Sequence, residues 1–267
     1  MNLLEQEMFD VLTSLRDDYG VVGVKAEFEA EGTRVDELMR LIEIVRKLNL
    51  NLGIKIGGCE AMKDLMECKQ LGAEYIIAPM VETDYALKKF IDAKNKIFNE
   101  DEKNSVEFLI NIETKTTLEN LDNIIKVCAS HETKDSINGF VFGRVDYTLS
   151  CGLPREDIND SDIITDAVLQ VAKKAKKNNL ILVVGGGVSL DALPIMRKIS
   201  ESKLDRFETR KIIFSQKALE ISNLDEGMLL AVKFELLWLK NKKNYYGAIF
   251  KEDDLRIKML SDRWIKN

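Results

Sequence analysis

The stretch "FLINIETKTTLENLDNII", Phe108–Ile125, decides how the chain is read. An apolar run, interrupted by Asn111, closes on Glu113, and Leu118, Leu121, Ile124 and Ile125 then recur at helical spacing. A strand that passes straight into a helix is the repeating unit of a parallel α/β sheet. A carboxylate at the end of a buried strand is uncommon unless it is paired, metal-bound or at the mouth of a site. The same eighteen residues therefore pose both the fold and the site.

Further short apolar runs surround this one: "VVGVKAEFE" (21–29), "LGIKIG" (52–57), "EYIIAPMV" (74–81), "GFVFGRVD" (139–146), "LILVVGGG" (180–187) and "RKIIFS" (210–215). With "VEFLINIE" (106–113) they make seven candidate strands. Amphipathic helical patterns lie between them, such as "TRVDELMRLIEIVRKLN" (33–49), where Thr33 and Asp36 offer a start resembling a capping box. The alternation predicts a parallel sheet covered by helices, and the length predicts a (β/α)8 TIM-type barrel. A doubly wound open sheet is the alternative. We read one domain over 1–267, with an N-terminal helix at 1–20, barrel strands and helices at 21–217, and a C-terminal helical extension at 218–267. Seven strands are one too few, and "LLEQEMFDVLTSLRDDY" is helical where a first strand is expected. The expectation is thus a barrel that lacks or modifies its first strand, or is closed by a strand without a visible pattern. In the extension, Leu229, Leu230, Phe234, Leu237 and Trp238 fall at helical spacing, a stripe that reads first as core, and the extension is expected to pack on the barrel or on a partner subunit.

Composition narrows the function classes. At 267 residues and 45% hydrophobic, one large core is available. A net charge of −6 argues against nucleic-acid and anionic-membrane partners. The basic runs "KKAKKNN" and "KNKK" suit solvated helix ends. No stretch approaches the roughly 18 apolar residues of a membrane span, and the N-terminus lacks a basic leader and signal-peptide core. Four cysteines without CxxC spacing are expected to be free thiols in a reducing cytoplasm. The lone histidine, His131, sits in a polar stretch and reads as a surface residue rather than a base.

In a parallel barrel the site forms at the C-terminal ends of the strands. Those ends carry Glu27, Glu29 and Glu31 on one side of the first strand, Lys55 before Gly57 and Gly58, and Glu82 after the third. Asn111 and Glu113 follow, then Arg144 and Asp146 after Gly143, and finally Gly185, Gly186, Gly187 and Ser189. Converging carboxylates repel unless a cation or protons neutralise them. An oxygen-rich site poor in His and Cys suits Mg²⁺ or Mn²⁺ rather than zinc. Ion pairing among these groups is the plainer alternative, above all for Glu27, Glu31 and Glu82. The triple glycine allows either a phosphate approached by backbone amides or a tightly packed turn.

The segments "LGAEYIIAPMVET", "IETKTTLENLDNII" and "INGFVFGRVDYTLSCG" carry a Pro-Met-Val-Glu strand, a strand ending in Ile-Glu-Thr, and a Gly-x-x-Asp signature, in that order. In these the chain resembles the HpcH/HpaI aldolase and citrate lyase family, from about Val24 to Gly152. The resemblance implies a barrel whose divalent metal is held by Glu113 and Asp146. It implies that the amides of Gly143, Arg144 and Val145 receive a substrate carboxylate. Lys55 stands where the family has an arginine, losing the bidentate fork. The family's acid–histidine pair falls at Glu29 and Ala30, so proton transfer is left to Glu27, Glu29, Lys55 or a metal-bound water. Arg144 replaces a small residue and could grip a further carboxylate or phosphate. The implied function is a metal-dependent carbon–carbon lyase or aldolase acting on a small-molecule 2-keto acid, through pyruvate or oxaloacetate enolate chemistry, and an aldehyde. The resemblance also implies a homo-oligomer assembled through C-terminal helices. The alternatives are a CoA-thioester lyase of the malyl-, citramalyl- or citryl-CoA type, and a family member that binds a metabolite without turnover.

Overall fold

The computed structural model describes residues 1–129 and 137–264. His131 lies outside the described residues. Among the described residues there are eight strands: β1 (Val21–Glu27), β2 (Asn51–Lys55), β3 (Tyr75–Ala78), β4 (Glu107–Ile112), β5 (Gly139–Gly143), β6 (Ile181–Gly185), β7 (Arg206–Glu208) and β8 (Ile212–Ser215). They close into one barrel in chain order. The described helices are α1 (Leu3–Tyr19), α2 (Val35–Lys47), α3 (Met62–Leu71), α4 (Asp84–Ile97), α5 (Glu100–Lys103), α6 (Lys115–Glu119), α7 (Leu121–Ala129), α8 (Arg144–Ser150), α9 (Asp162–Lys177), α10 (Leu193–Ser200) and α11 (Leu224–Trp264).

The barrel is complete, and the strand without a visible pattern is β7. Its three residues are too few to display a period of two. Helix α1 precedes the barrel and takes no strand's place. The sheet is parallel from β1 to β7, but β8 runs antiparallel to both β7 and β1. Only Thr209, Arg210 and Lys211 join β7 to β8. A parallel crossover needs roughly a dozen residues, so this short link can only make a hairpin.

Two boundaries matter for the site. β4 stops at Ile112, which leaves Glu113 as the first residue beyond the strand. β5 stops at Gly143, and Arg144–Ser150 is helix rather than strand, so Asp146 lies in the first turn of α8. Helix α2 is capped by Arg34 without a side-chain bond, and the Thr33 hydroxyl donates to Glu31 at 3.2 Å instead.

The strands are buried on both faces, as parallel strands covered by helices require. Inside the barrel, Ile77, Leu109, Val141, Val183 and Ile213 form a small apolar plug beneath the mouth. Outside it, Phe98 packs edge-on against Phe108 at 5.1 Å in the layer between barrel and helices.

Helix α11 is 41 residues long, about 60 Å at the rise of an α-helix. It lies antiparallel to α1. The Tyr19 hydroxyl donates to Glu226 at 3.0 Å near one end, and Asn2 donates to Asn241 at 2.7 Å near the other. Gly227 permits this approach, since a Cβ there would stand 2.6 Å from the Tyr19 ring. Phe234, Leu237 and Trp238 are buried as the helical spacing predicts. Leu229 is not, and Met228 and Ala231 take the inward positions instead. "KNKK" proves to be internal to α11, where Lys242 pairs with Glu37 at 3.1 Å. Among the described residues, no helix is long and apolar enough to cross a membrane. The four cysteines are free thiols.

Candidate active site

The strand ends open into a cavity of about 930 Å³. Glu27, Glu29, Lys55, Asn111, Glu113, Gly143, Val145 and Asp146 all line it. The local fold explains why. Lys25 and Glu27 share one side of β1, Glu29 follows two residues beyond its end, and Lys55 ends β2 in register with Glu27.

Glu113 is the most fully enclosed carboxylate of the mouth, at 1% exposure. Its Oε1 accepts from the Met80 amide at 2.9 Å, and its Oε2 accepts from Asn111 Nδ2 at 2.5 Å and from Lys55 Nζ at 3.3 Å. Met80 offers that amide from a left-handed backbone, φ 51°. Gly143 leaves the room: a Cβ there would lie 2.9 Å from Cβ of Glu113 and 3.2 Å from its Oε2.

Lys55 is held between Glu113 and Glu29, the latter at 2.9 Å. Burial works to lower its pKa, but Glu113 and Glu29 outweigh burial and raise it above the ordinary lysine value. Lys55 is therefore an ammonium at neutral pH. Glu29 Oε2 is engaged by the Lys55 ammonium at 2.9 Å, while Glu29 itself lines the cavity.

A second cluster sits beside the first. Lys25 is buried between Glu208 at 2.5 Å and Glu27 at 3.3 Å. Desolvation opposes its charge, yet Glu208 and Glu27 raise its pKa above the usual value. Gly185 makes space for Glu208, whose Cγ and Oε1 would each lie 3.0 Å from an added Cβ. Gly143 and Gly185 are neighbours across β5 and β6, so a strip without side chains runs between Glu113 and Glu208.

Sequence reasoning passed over Lys25, Glu208, Arg210 and the Met80 amide. Lys25 carried a signal, because it shares the period-two side of Glu27 and Glu29. Glu208 had none, since β7 is too short to read.

Three of the strand-end residues take other places. Glu31 pairs with Arg210 at 3.0 Å and with Lys211, and Glu82 accepts from the Thr114 hydroxyl at 2.6 Å. Neither lines the cavity. The Arg144 guanidinium, expected to grip an anion, is fully buried. It donates to Asn159 at 2.9 Å and to the Gly187 carbonyl at 3.0 Å, and its Nε has no partner. Residue 144 opens a helix, which turns its side chain away from that of Asp146. Burial pulls Arg144 down to about 10, so it keeps its proton at neutral pH.

The triple glycine is a packing device. Gly185 accommodates Glu208, and a Cβ on Gly187 would meet Ile158 at 2.9 Å. Gly186, at φ 78°, keeps clear the amides that open α8: a Cβ there would lie 2.7 Å from Val145 N and 2.8 Å from Arg144 N.

The donor set fits a hard divalent cation. Glu113 and the exposed Asp146 face one cavity that, among the described residues, is lined by no histidine or cysteine. Among the described residues no three His, Cys, Asp or Glu groups cluster as metal ligands. Two carboxylates are what Mg²⁺ ordinarily takes from a protein when substrate and water supply the rest.

The HpcH/HpaI aldolase/citrate lyase family model matches residues 25–187. The chain belongs to this family. The HpcH/HpaI match extends past Gly152 through β6 and the triple glycine. No curated protein sequence matches the chain. Similar solved structures include an HpcH/HpaI aldolase/citrate lyase family protein from Burkholderia cenocepacia, at 14% identity and a TM-score of 0.56, covering 90% of this chain and 100% of that one. RipC from Yersinia pestis has 14% identity and a TM-score of 0.50, with coverage of 76% and 87%. A variant of the citrate synthase SbnG has 12% identity and a TM-score of 0.50, with coverage of 74% and 90%. At these identities the likeness is one of fold.

Proposed function

We propose that this HpcH/HpaI family member is a carbon–carbon lyase or aldolase acting on a 2-keto acid of the pyruvate or oxaloacetate type. The observation that carries the reading is the setting of Glu113, buried, aimed by three donors and sharing its cavity with Asp146. Glu113 and Asp146 would hold Mg²⁺ or Mn²⁺, which when bound supplies a Lewis acid to the substrate oxygens.

The chain's own groups account for the remaining needs. Lys55 places a fixed positive charge beside the keto oxygen, where negative charge develops as the carbon–carbon bond breaks. Glu29, paired with Lys55, takes the proton of the substrate hydroxyl as the carbon–carbon bond breaks and delivers it to the enolate carbon, which becomes the pyruvate methyl group. In the condensation direction it removes a methyl proton and gives it to the new alkoxide. Glu27 is engaged by Lys25 and, at 4.0 Å, by Arg210, so its part is to hold those cations. Asn111 Oδ1, buried without a partner, is left to receive a donor from the substrate. The amides of Arg144 and Val145, uncovered by Gly186 and free of helical partners, receive the substrate carboxylate.

The far half of α11 supports assembly into a homo-oligomer, because Ile249, Phe250, Leu255 and Ile257 are all at least half exposed.

The test is exchange of the pyruvate methyl protons with deuterated water, followed by NMR with Mg²⁺ or Mn²⁺ present. Glu113→Gln keeps the size of the side chain and removes its charge. It is expected to slow exchange by about 100-fold or more. Exchange at the wild-type rate in that variant would overturn the assignment.

A further inference from the structure

We infer that the second substrate is an uncharged aldehyde with an apolar tail, and that tails bearing a carboxylate or phosphate are rejected. This rests on the keto-acid reading above and goes beyond it by naming the class of the electrophile.

The first observation is charge. Seven carboxylates and four cations line the cavity, which leaves a surplus of three negative charges. Even a bound divalent ion leaves the lining acidic. Three of the four cations are already committed. Lys25 is held by Glu208 and Glu27, Lys55 by Glu29 and Glu113, and Arg210 by Glu31. The fourth, Arg155, is exposed at the rim and has no ion pair among the described residues. An anionic tail entering this mouth meets a surplus of like charge, and among the described residues the one lining cation outside an ion pair is the exposed Arg155. Of the two sequence features that suggested phosphate, the glycine run packs Gly185 on Glu208 and Gly187 on Ile158, and the Arg144 guanidinium is buried on Asn159 and the Gly187 carbonyl.

The second observation is the outer wall. Met228, Leu229, Ala231 and Val232 of α11 face the cavity, and Leu229 and Val232 are 59% and 61% exposed there. This is uncovered apolar surface at the entrance of a site. The 930 Å³ of the cavity falls near the top of the roughly 300–1,000 Å³ range of small-molecule pockets. A three-carbon keto acid leaves most of it empty, and the remaining space adjoins the α11 wall.

The experiment compares kcat/KM for condensation of pyruvate with acetaldehyde, pentanal and 5-oxopentanoate, the last matching pentanal in length but ending in a carboxylate. Pentanal is expected to exceed 5-oxopentanoate by about tenfold. Val232→Asp, at an exposed helical position, is expected to lower the pentanal value about tenfold relative to that for acetaldehyde. Light scattering on the variant checks that its assembly is retained. Equal or better use of 5-oxopentanoate overturns the inference, and loss of that preference in Arg155→Ala would trace it to the rim. Pentanal use that is insensitive to Val232→Asp overturns it as well. If no aldehyde is condensed while methyl-proton exchange persists, this inference alone fails. If exchange is also absent, the keto-acid reading fails with it.

Discussion

At Gly143 an added Cβ would lie 2.9 Å from Cβ of Glu113, and at Gly185 it would lie 3.0 Å from Cγ of Glu208. Contacts this short displace the neighbouring side chain. Gly143→Ala should therefore move Glu113 off the Met80 and Asn111 donors and reduce turnover by about tenfold or more. The circular-dichroism spectrum should be unchanged, because the alteration is confined to the mouth. Turnover equal to wild type would mean that Glu113 does not need this placement. At this scale the sequence was readable wherever a polar side chain ended an apolar run, which is how Lys55, Asn111 and Glu113 stood out. It was not readable for partners far apart in the chain. Lys25 and Glu208 are 183 residues apart, and no local pattern announces their contact. The part Arg144 plays depends on whether residue 144 ends a strand or begins a helix, a boundary that periodicity does not resolve.

At the scale of elements, α1 is anchored at its start by a carboxylate as well as along its apolar face. Glu5 closes a capping box with Asn2 and accepts twice from Arg40 of α2, at 2.9 and 2.7 Å. The Arg40 guanidinium, partly offset by burial and helped by the Asn2 amide, holds the Glu5 carboxyl at about 2, against an ordinary 4.5. A carboxylate depressed in the folded state stabilises above its unfolded pKa, and that contribution fades as pH falls through the folded one. Arg40→Ala should thus cost about 1 kcal/mol at pH 7, a modest figure because Arg40 is half in solvent. The difference from wild type should shrink as pH falls from 4.5 towards 2. Urea titrations across that range would measure it, and a difference independent of pH would show that Glu5 and Arg40 are not coupled. The β–α alternation was legible from β1 to β6, because each of those strands is long enough to be apolar as a block and each is followed by a helix. The β7–β8 hairpin was half hidden, as three residues cannot show a period and a three-residue loop breaks the alternation.

At the scale of the molecule, the reversed direction of β8 sets the course of everything after it. The chain leaves β8 beside Gly20, at the end of the barrel opposite the mouth, where the Ser215 amide donates to the Gly20 carbonyl at 3.0 Å. Helix α11 then climbs the barrel, passes the mouth at Met228 to Glu235 and contacts the start of α2 through Tyr245 and Tyr246. Its remaining turns extend beyond that contact with Ile249, Phe250, Leu255, Ile257 and Leu260 exposed. Light scattering at micromolar concentration should give a multiple of the 30.4 kDa chain mass, and a monomeric mass would contradict assembly through this segment. The helical pattern of the extension was legible, but its direction was not, because that depends on the strand that was only half seen. A strand laid down backwards thus has an effect far from the barrel. A second copy docked on the free end of α11 would stand on the same side as the opening, which would put entry to the cavity and assembly in one territory. Specific activity should then change on dilution, a dependence that a barrel with eight parallel strands and its last helix ending at the base would not show.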